Sequence, residues 1–312
     1  MNLYDALNRP YLREEEATKK LSTGLTVLNY ALSGSYKYGL ETGSVVLVSG
    51  ENNSGRTTFG LTVLAEASIN PLFSDYTLYY YDTEGKAVDI RGFLGNRAGD
   101  RIYSQKLSHI DSFWELCSRR KRSIIVLDSL DGLMVGGNTW RKNNDCAKGV
   151  FDCVRKNNSI VVITLQAKRV NGKIITAGGY APIFYSDTLV RLSYSGELLA
   201  RRGKTNMSVG TNTSITPLKS KFENISIIEC PAPINVQFGY DNALSMLLYF
   251  IKEGIIAEKD GVYSFPVYNI VGDFYVFLKY FRDNEVNIAQ NFREIIKKEN
   301  YGLGSVNIPN NV

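Results

Sequence analysis

Eight residues, Gly50, Glu51, Asn52, Asn53, Ser54, Gly55, Arg56 and Thr57, stand between an apolar run (44–50, SVVLVSG) and a helical pattern at about 56–69. Glycines at this spacing let the backbone wrap a phosphate, and the helix start aims its amide N–H groups and partial positive charge at the same point. The segment fits G-x-x-x-x-G-K-[ST] at every position except the lysine, where Arg56 keeps the charge and changes its shape. Thr57 is placed to ligate Mg²⁺ through its hydroxyl, and the cradle extends to Thr58. ATP with Mg²⁺ is the ligand this chemistry suits.

Three further polar residues close apolar runs. Asp128 ends 123–128 (SIIVLD), the place of an acid that supports Mg²⁺ through water. Glu84 follows 77–82 (TLYYYD), within reach of a water to be oriented or deprotonated, and Asp82 is its rival. Gln166 follows 159–165 (SIVVITL), where an amide can hydrogen-bond a γ-phosphate and report it to the next segment. That segment, 167–177 (AKRVNGKIITA), carries Lys168, Arg169 and Lys173 around Asn171 and Gly172, a composition suited to tracking DNA phosphates without reading bases. A second Gly-rich stretch, 131–145, holds Trp140, Arg141 and Lys142; Trp140 either stacks on a base or packs at the start of a helix.

The elements that must position these residues are short apolar strands alternating with helices at about 56–69, 110–120 and 141–156. Runs apolar throughout belong to strands buried on both faces of a parallel sheet, so the expectation is α/β, doubly wound. Residues 187–194 and 225–238 read as strands, 200–215 as a hairpin or loop, and 243–252, 273–281 and 288–298 as helices. The division expected is an N-terminal arm (1–20), a core (21–239), a small α-rich domain (240–300) and a tail (301–312).

Composition narrows the chemistry. Among 312 residues there is one histidine, His109, which argues against a His-based triad or His-rich metal site. Four cysteines, Cys117, Cys146, Cys153 and Cys230, have no paired CxxC spacing and read as free thiols. No run approaches the ~20 apolar residues that span a bilayer, and residues 1–20 lack a secretory pattern, so no membrane partner and a cytoplasmic location are expected. The net charge of +5 agrees weakly with a polyanionic partner.

In this order the motifs resemble the RecA recombinase family, including its phage UvsX-type members. Leu21-Ser22-Thr23-Gly24 and Leu28-Asn29-Tyr30-Ala31-Leu32 resemble the lead-in to that core; the phosphate loop, Tyr81-Asp82-Thr83-Glu84 and Leu127-Asp128-Ser129-Leu130 follow. Thr176-Ala177-Gly178-Gly179 and Phe184-Tyr185 resemble the exit of the second DNA loop; the resemblance implies Gly178 and Gly179 among its contacts and a role for Ile174 and Ile175 as wedges between bases. Leu218-Lys219-Ser220-Lys221 resembles the paired lysines that reach a neighbouring subunit's ATP, and the stretch from Gly239 resembles the family's small C-terminal domain.

The resemblance spans about 21–300 and implies a RecA-like, mostly parallel sheet, a DNA-dependent ATPase and a helical homo-oligomeric filament. It also implies single-stranded and double-stranded DNA as partners in strand exchange and repair. Arg56, a short arm, short loops and the lack of an acidic tail depart from the family pattern. Two other readings stay open: an accessory paralogue that binds ATP and turns it over little, and a RecA-fold ATPase that does not act on DNA. Arg91 and Tyr103 are both candidates to stack on adenine.

Overall fold

In a computed structural model of the protein, the described residues are 18–85, 88–94, 99–133, 144–170, 173–176, 180–202, 205–223 and 225–301. The main strands are β1 (Ser44–Gly50), β2 (Thr77–Asp82), β3 (Ile102–Lys106), β4 (Ser123–Asp128), β5 (Ile160–Val170), β6 (Lys173–Thr176), β7 (Thr188–Arg202) and β8 (Thr205–Lys219). Across the sheet they run β8–β7–β1–β5–β4–β2–β3. All pairs from β7 to β3 are parallel, whereas β8 returns antiparallel to β7. The principal helices are α1 (Thr26–Ser33), α2 (Arg56–Ile69), α3 (Ile110–Arg119), α4 (Asn144–Lys156), α5 (Asn242–Lys252), α6 (Phe274–Asp283) and α7 (Glu285–Tyr301).

Strand alternation divides the core. Val46, Val48, Val126 and Val162 face α2 with Phe59, Val63 and Leu64. Val45, Leu47, Ile125, Leu127 and Ile163 face the other way, with Phe113 of α3 and Phe151 and Val154 of α4. Both faces are covered, which is why the strands carry apolar side chains at every position. Helix α2 ends at Asn70, whose N–H donates to Glu66 O at 3.2 Å; Pro71 follows and disfavours a helical residue before it.

From Asn242 the chain forms α5, a three-stranded antiparallel sheet (Ala257–Lys259, Val262–Phe265, Ile270–Gly272), then α6 and α7. Phe250 packs on Phe265, Phe281 and Phe292 with ring centroids 5.8, 5.9 and 5.2 Å away. These rings belong to the same buried cluster as the α2 face, so apolar packing continues from one region into the other.

Three local expectations change. Residues 225–238 are not one strand: only Cys230–Pro231 and Ile234–Asn235 pair, because Pro231 and Pro233 cannot donate to a ladder. The strand after Ser159 does not stop at Leu165 but runs to Val170 and folds back as β6, so the basic segment is a hairpin. An edge strand, β3, was not anticipated; four of its five residues are exposed, and it lacks the apolar run that marks its neighbours. Trp140, Arg141, Lys142, Asn171, Gly172, Gly178 and Gly179 lie outside the described residues, as do most of the arm and the tail. No helix among the described residues is long and apolar enough to cross a membrane.

Candidate functional site

The loop leaving β1 is tightly specified. Gly50 lies between Gln166 of β5 and Leu192 of β7 in the ladder. A Cβ on Gly50 would meet Ser54 Oγ at 2.2 Å, and one on Gly55 would meet Ile234 Cδ1 at 2.3 Å. Asn53 and Gly55 have φ of 60° and 89°, in the left-handed region. Buried Ser54 donates from Oγ to Glu51 O at 2.7 Å and from its amide at 3.3 Å, closing the turn, while Asn52 and Asn53 stay exposed.

The N–H groups of the first turn of α2, including those of Thr57 and Thr58, have no intrahelical acceptor. Arg56 Nη1 is buried with no partner among the described residues. A buried guanidinium nitrogen left unpaired is costly, and a phosphate oxygen is the acceptor that relieves it. The loop therefore fits a nucleotide's phosphates.

Below the loop, Asp128 is 4% exposed and receives three hydroxyl donors. Thr57 Oγ1 donates to Oδ2 at 2.6 Å, Tyr80 to Oδ2 at 2.9 Å, and Thr164 Oγ1 to Oδ1 at 2.7 Å. Burial, with the Asp128 carboxylate beside it, pushes the Tyr80 hydroxyl well above the usual phenol range. Thr57 and Asp128 thus stand together as oxygen donors suited to hydrated Mg²⁺ beside a triphosphate.

Glu84 and Asp82 separate in role. Asp82 Oδ1 accepts the amides of Glu84 and Gly85 at 2.9 and 2.8 Å, which shapes the turn. Glu84 is exposed at the same sheet edge and accepts from Ser129 Oγ at 2.8 Å. Gln166 Nε2 donates to Asn52 Oδ1 at 3.1 Å, and its amide donates to Asp131 Oδ2 at 2.6 Å. In the hairpin that follows, exposed Lys168 is opposite Ile175, Arg169 opposite Ile174, and Val170 opposite Lys173.

Lys219 and Lys221 do not join this group. Lys219 is the last residue of β8, opposite Leu189 near the start of β7, and Lys221 lies beyond the strand. Leu189 is in turn opposite Leu47, so the Lys219 backbone lies about 10 Å below Gly50 by strand rise, and both lysine side chains reach further toward the sheet edge opposite the phosphate loop. Lys219 Nζ donates to Phe184 O at 2.9 Å and to Ser186 O. Lys221 Nζ donates to Thr42 O and Gly43 O at 3.3 and 3.2 Å and pairs with Glu41. Desolvation holds Lys219 below the usual lysine range.

Neither adenine candidate touches the loop within this chain. Arg91 pairs with Asp100 at 3.1 Å. Tyr103 is on β3, four strand positions from β1 and so about 19 Å off at ~4.8 Å per strand. The sequence alone does not single out the side chains of Tyr80, Thr164, Ser129 and Asp131. Nor does it single out Tyr240, whose hydroxyl is 3.4 Å from Gly55 O. Each acts through a partner remote in sequence; Ser129 and Asp131 adjoin Asp128 in segments already singled out, but nothing in those segments assigns them these contacts.

A glycine-rich loop between a central parallel strand and the following helix, with a carboxylate ending a nearby strand, defines a P-loop α/β fold. Within that class the chain has the fold of RecA-type ATPases. It resembles the crystal structure of a KaiC-like protein from Pyrococcus horikoshii OT3, with a TM-score of 0.51 and 16% identity over 72% of this chain and 98% of that one. Among curated proteins, Protein RecA of Laribacter hongkongensis (strain HLHK9) is 26% identical over 223 residues. That match covers 64% of this chain and 60% of the relative's length. No protein-family model matches the sequence.

Proposed function

We propose that this protein is an ATP-dependent homologous recombinase that assembles as a helical filament on single-stranded DNA and pairs it with double-stranded DNA for strand exchange and repair. The observation that carries the reading is the contact between Gln166 and Asn52. It joins the phosphate loop to the strand that continues into the basic hairpin, so occupancy of one is felt by the other. The similarity to Protein RecA supports the DNA side of the reading.

Residues 50–58 hold the triphosphate, with Arg56 neutralising its charge. Thr57 would hold Mg²⁺ directly and Asp128 through water; bound there, the ion would neutralise charge on the transferring phosphoryl group. Glu84 orients the attacking water, and Gln166 registers the γ-phosphate. Lys219 and Lys221 face away from their own loop. In a head-to-tail stack that edge meets the next subunit's nucleotide, and a heterologous contact that does not close propagates as a filament. Lys168, Arg169, Asn171, Gly172, Lys173, Ile174, Gly178 and Gly179 line the DNA path with Trp140, Arg141 and Lys142.

The second reading is an accessory ATP-binding paralogue that turns over slowly. Arg56 favours it, as does the seating of both lysines on carbonyls of their own chain.

Binding to single-stranded DNA across a salt series tests the DNA role. With ATP, log affinity should fall steeply with log salt, and replacing Lys168, Arg169 and Lys173 by alanine should flatten the slope by about 2, at ~0.7 per phosphate contact. An unchanged slope would remove the hairpin from the DNA site.

A further inference from the structure

Asp128 is held, on one face of the sheet, by side chains from the two strands that flank its own. Strand β4 lies between β5 and β2. Thr164 sits one residue beyond the Leu127–Ile163 pair, which sets it beside Asp128 on β5. On the other side Tyr80 is opposite Val126, two residues before the Asp82–Asp128 pair, and its longer side chain reaches up to the carboxylate. Strand alternation puts all three on the face covered by α2, and Tyr80 and Thr164 are 1% and 0% exposed.

A buried carboxylate needs donors, and it has about four acceptor positions in all. Three are filled here: two on Oδ2, by Thr57 and Tyr80, and one on Oδ1, by Thr164. Thr57 alone would leave the Asp128 side chain free to turn about its own bonds. The two flanking hydroxyls remove that freedom. Because Thr57 then gives its proton to a fixed oxygen, its lone pairs are directed away from Asp128.

We infer that Tyr80 and Thr164 are positioning residues, which fix the Asp128 carboxylate and, through it, the Thr57 hydroxyl as a prearranged pair of oxygen ligands for a divalent cation. This rests on the reading of the loop as a nucleotide site that takes such an ion. Prearrangement lowers the ordering cost of binding the cation, so its loss weakens cation binding and leaves phosphate binding to the loop intact.

The test is a Mn²⁺ titration followed by electron paramagnetic resonance in the presence of ADP, with ADP affinity measured separately in EDTA. Tyr80→Phe and Thr164→Val each delete a hydroxyl with little change of shape. Each should raise the half-saturating Mn²⁺ concentration roughly three- to tenfold, the effect of one hydrogen bond, with metal-free ADP affinity unchanged. Thr164→Ser, which keeps the donor, should restore the native value; a purely structural role would not separate serine from valine in this way. Native Mn²⁺ affinity in both Tyr80→Phe and Thr164→Val overturns the positioning role while leaving the nucleotide site standing. Native protein that binds neither ADP nor Mn²⁺ with ADP overturns the nucleotide site itself, and the inference with it.

Discussion

Gln166 Nε2 donates to Asn52 Oδ1 across 3.1 Å, so the strand that becomes the basic hairpin touches the phosphate loop with no intermediary. Under the proposed function, a bound γ-phosphate would compete with Asn52 for that amide. Gln166 would then have two hydrogen-bonded arrangements, with the hairpin attached to both. Gln166→Ala should bind ATP within about threefold of the native protein and lose most of the strengthening of single-stranded DNA binding by ATP, because no differential contact remains to bias the hairpin. Anisotropy of a labelled oligonucleotide with and without ATP measures this; an intact ATP effect would show that Gln166 carries no coupling.

Arg56 should hold ATP and slow its turnover. The guanidinium keeps ground-state attraction to the triphosphate, but its wide fork replaces a compact ammonium where charge must be matched in the transition state. A misplacement of ~1 Å can cost about a hundredfold in rate. Arg56→Lys should bind ATP comparably and hydrolyse it on DNA roughly ten- to a hundredfold faster. Slower hydrolysis by the lysine protein would make Arg56 an adapted catalytic residue.

Much of this site is readable along the chain because its parts are local. Glycine, serine and threonine at fixed offsets wrap a phosphate whatever surrounds them, and residues 50–57 needed no partner to be noticed. Asp128 and Gln166 follow apolar runs, which marks the sheet edge. Tyr80 and Thr164 escaped because their roles come from cross-strand register, and one residue of slip would send either to the other face. The strand β3 escaped because an exposed edge needs few apolar side chains. In the 225–238 segment apolar content argued for a strand, but the prolines at 231 and 233 removed the donors.

Lys219 and Lys221 should complete a neighbour's site. Their edge lies opposite their own phosphate loop, and Lys219 rests on Phe184 O rather than on a carboxylate, a contact that can be exchanged for phosphate oxygens. Lys219→Ala/Lys221→Ala and Glu84→Gln proteins should each lose more than tenfold of ATPase activity alone. Mixed, they should recover a fraction set by the interfaces that carry neither lesion. Co-assembly with no recovery in any mixture would remove action in trans.

Glu66, half-buried on α2, should make stability depend on pH. Burial raises its carboxyl above the ordinary value of 4.5, Ser22 partly offsets this, and Glu285 across the adjoining cavity adds to the rise. The cavity, about 360 Å³, is also lined by Tyr240, Asp241 and Arg282. A carboxyl whose folded pKa is raised contributes stability that is fully present below 4.5 and is lost as pH rises through the folded value. Glu66→Gln should therefore melt a few degrees above the native protein at pH 7.5 and show no such gain at pH 4. Equal shifts at both pH values would mean that ionisation of Glu66 costs nothing.

Filament assembly on DNA is visible by negative-stain electron microscopy of the protein with Mg²⁺ and ATP, with and without single-stranded DNA. Open helical filaments whose length follows the DNA supplied, shortened or absent without nucleotide, are expected. Closed rings, or dispersed monomers with DNA and ATP both present, would rule out a DNA-bound filament.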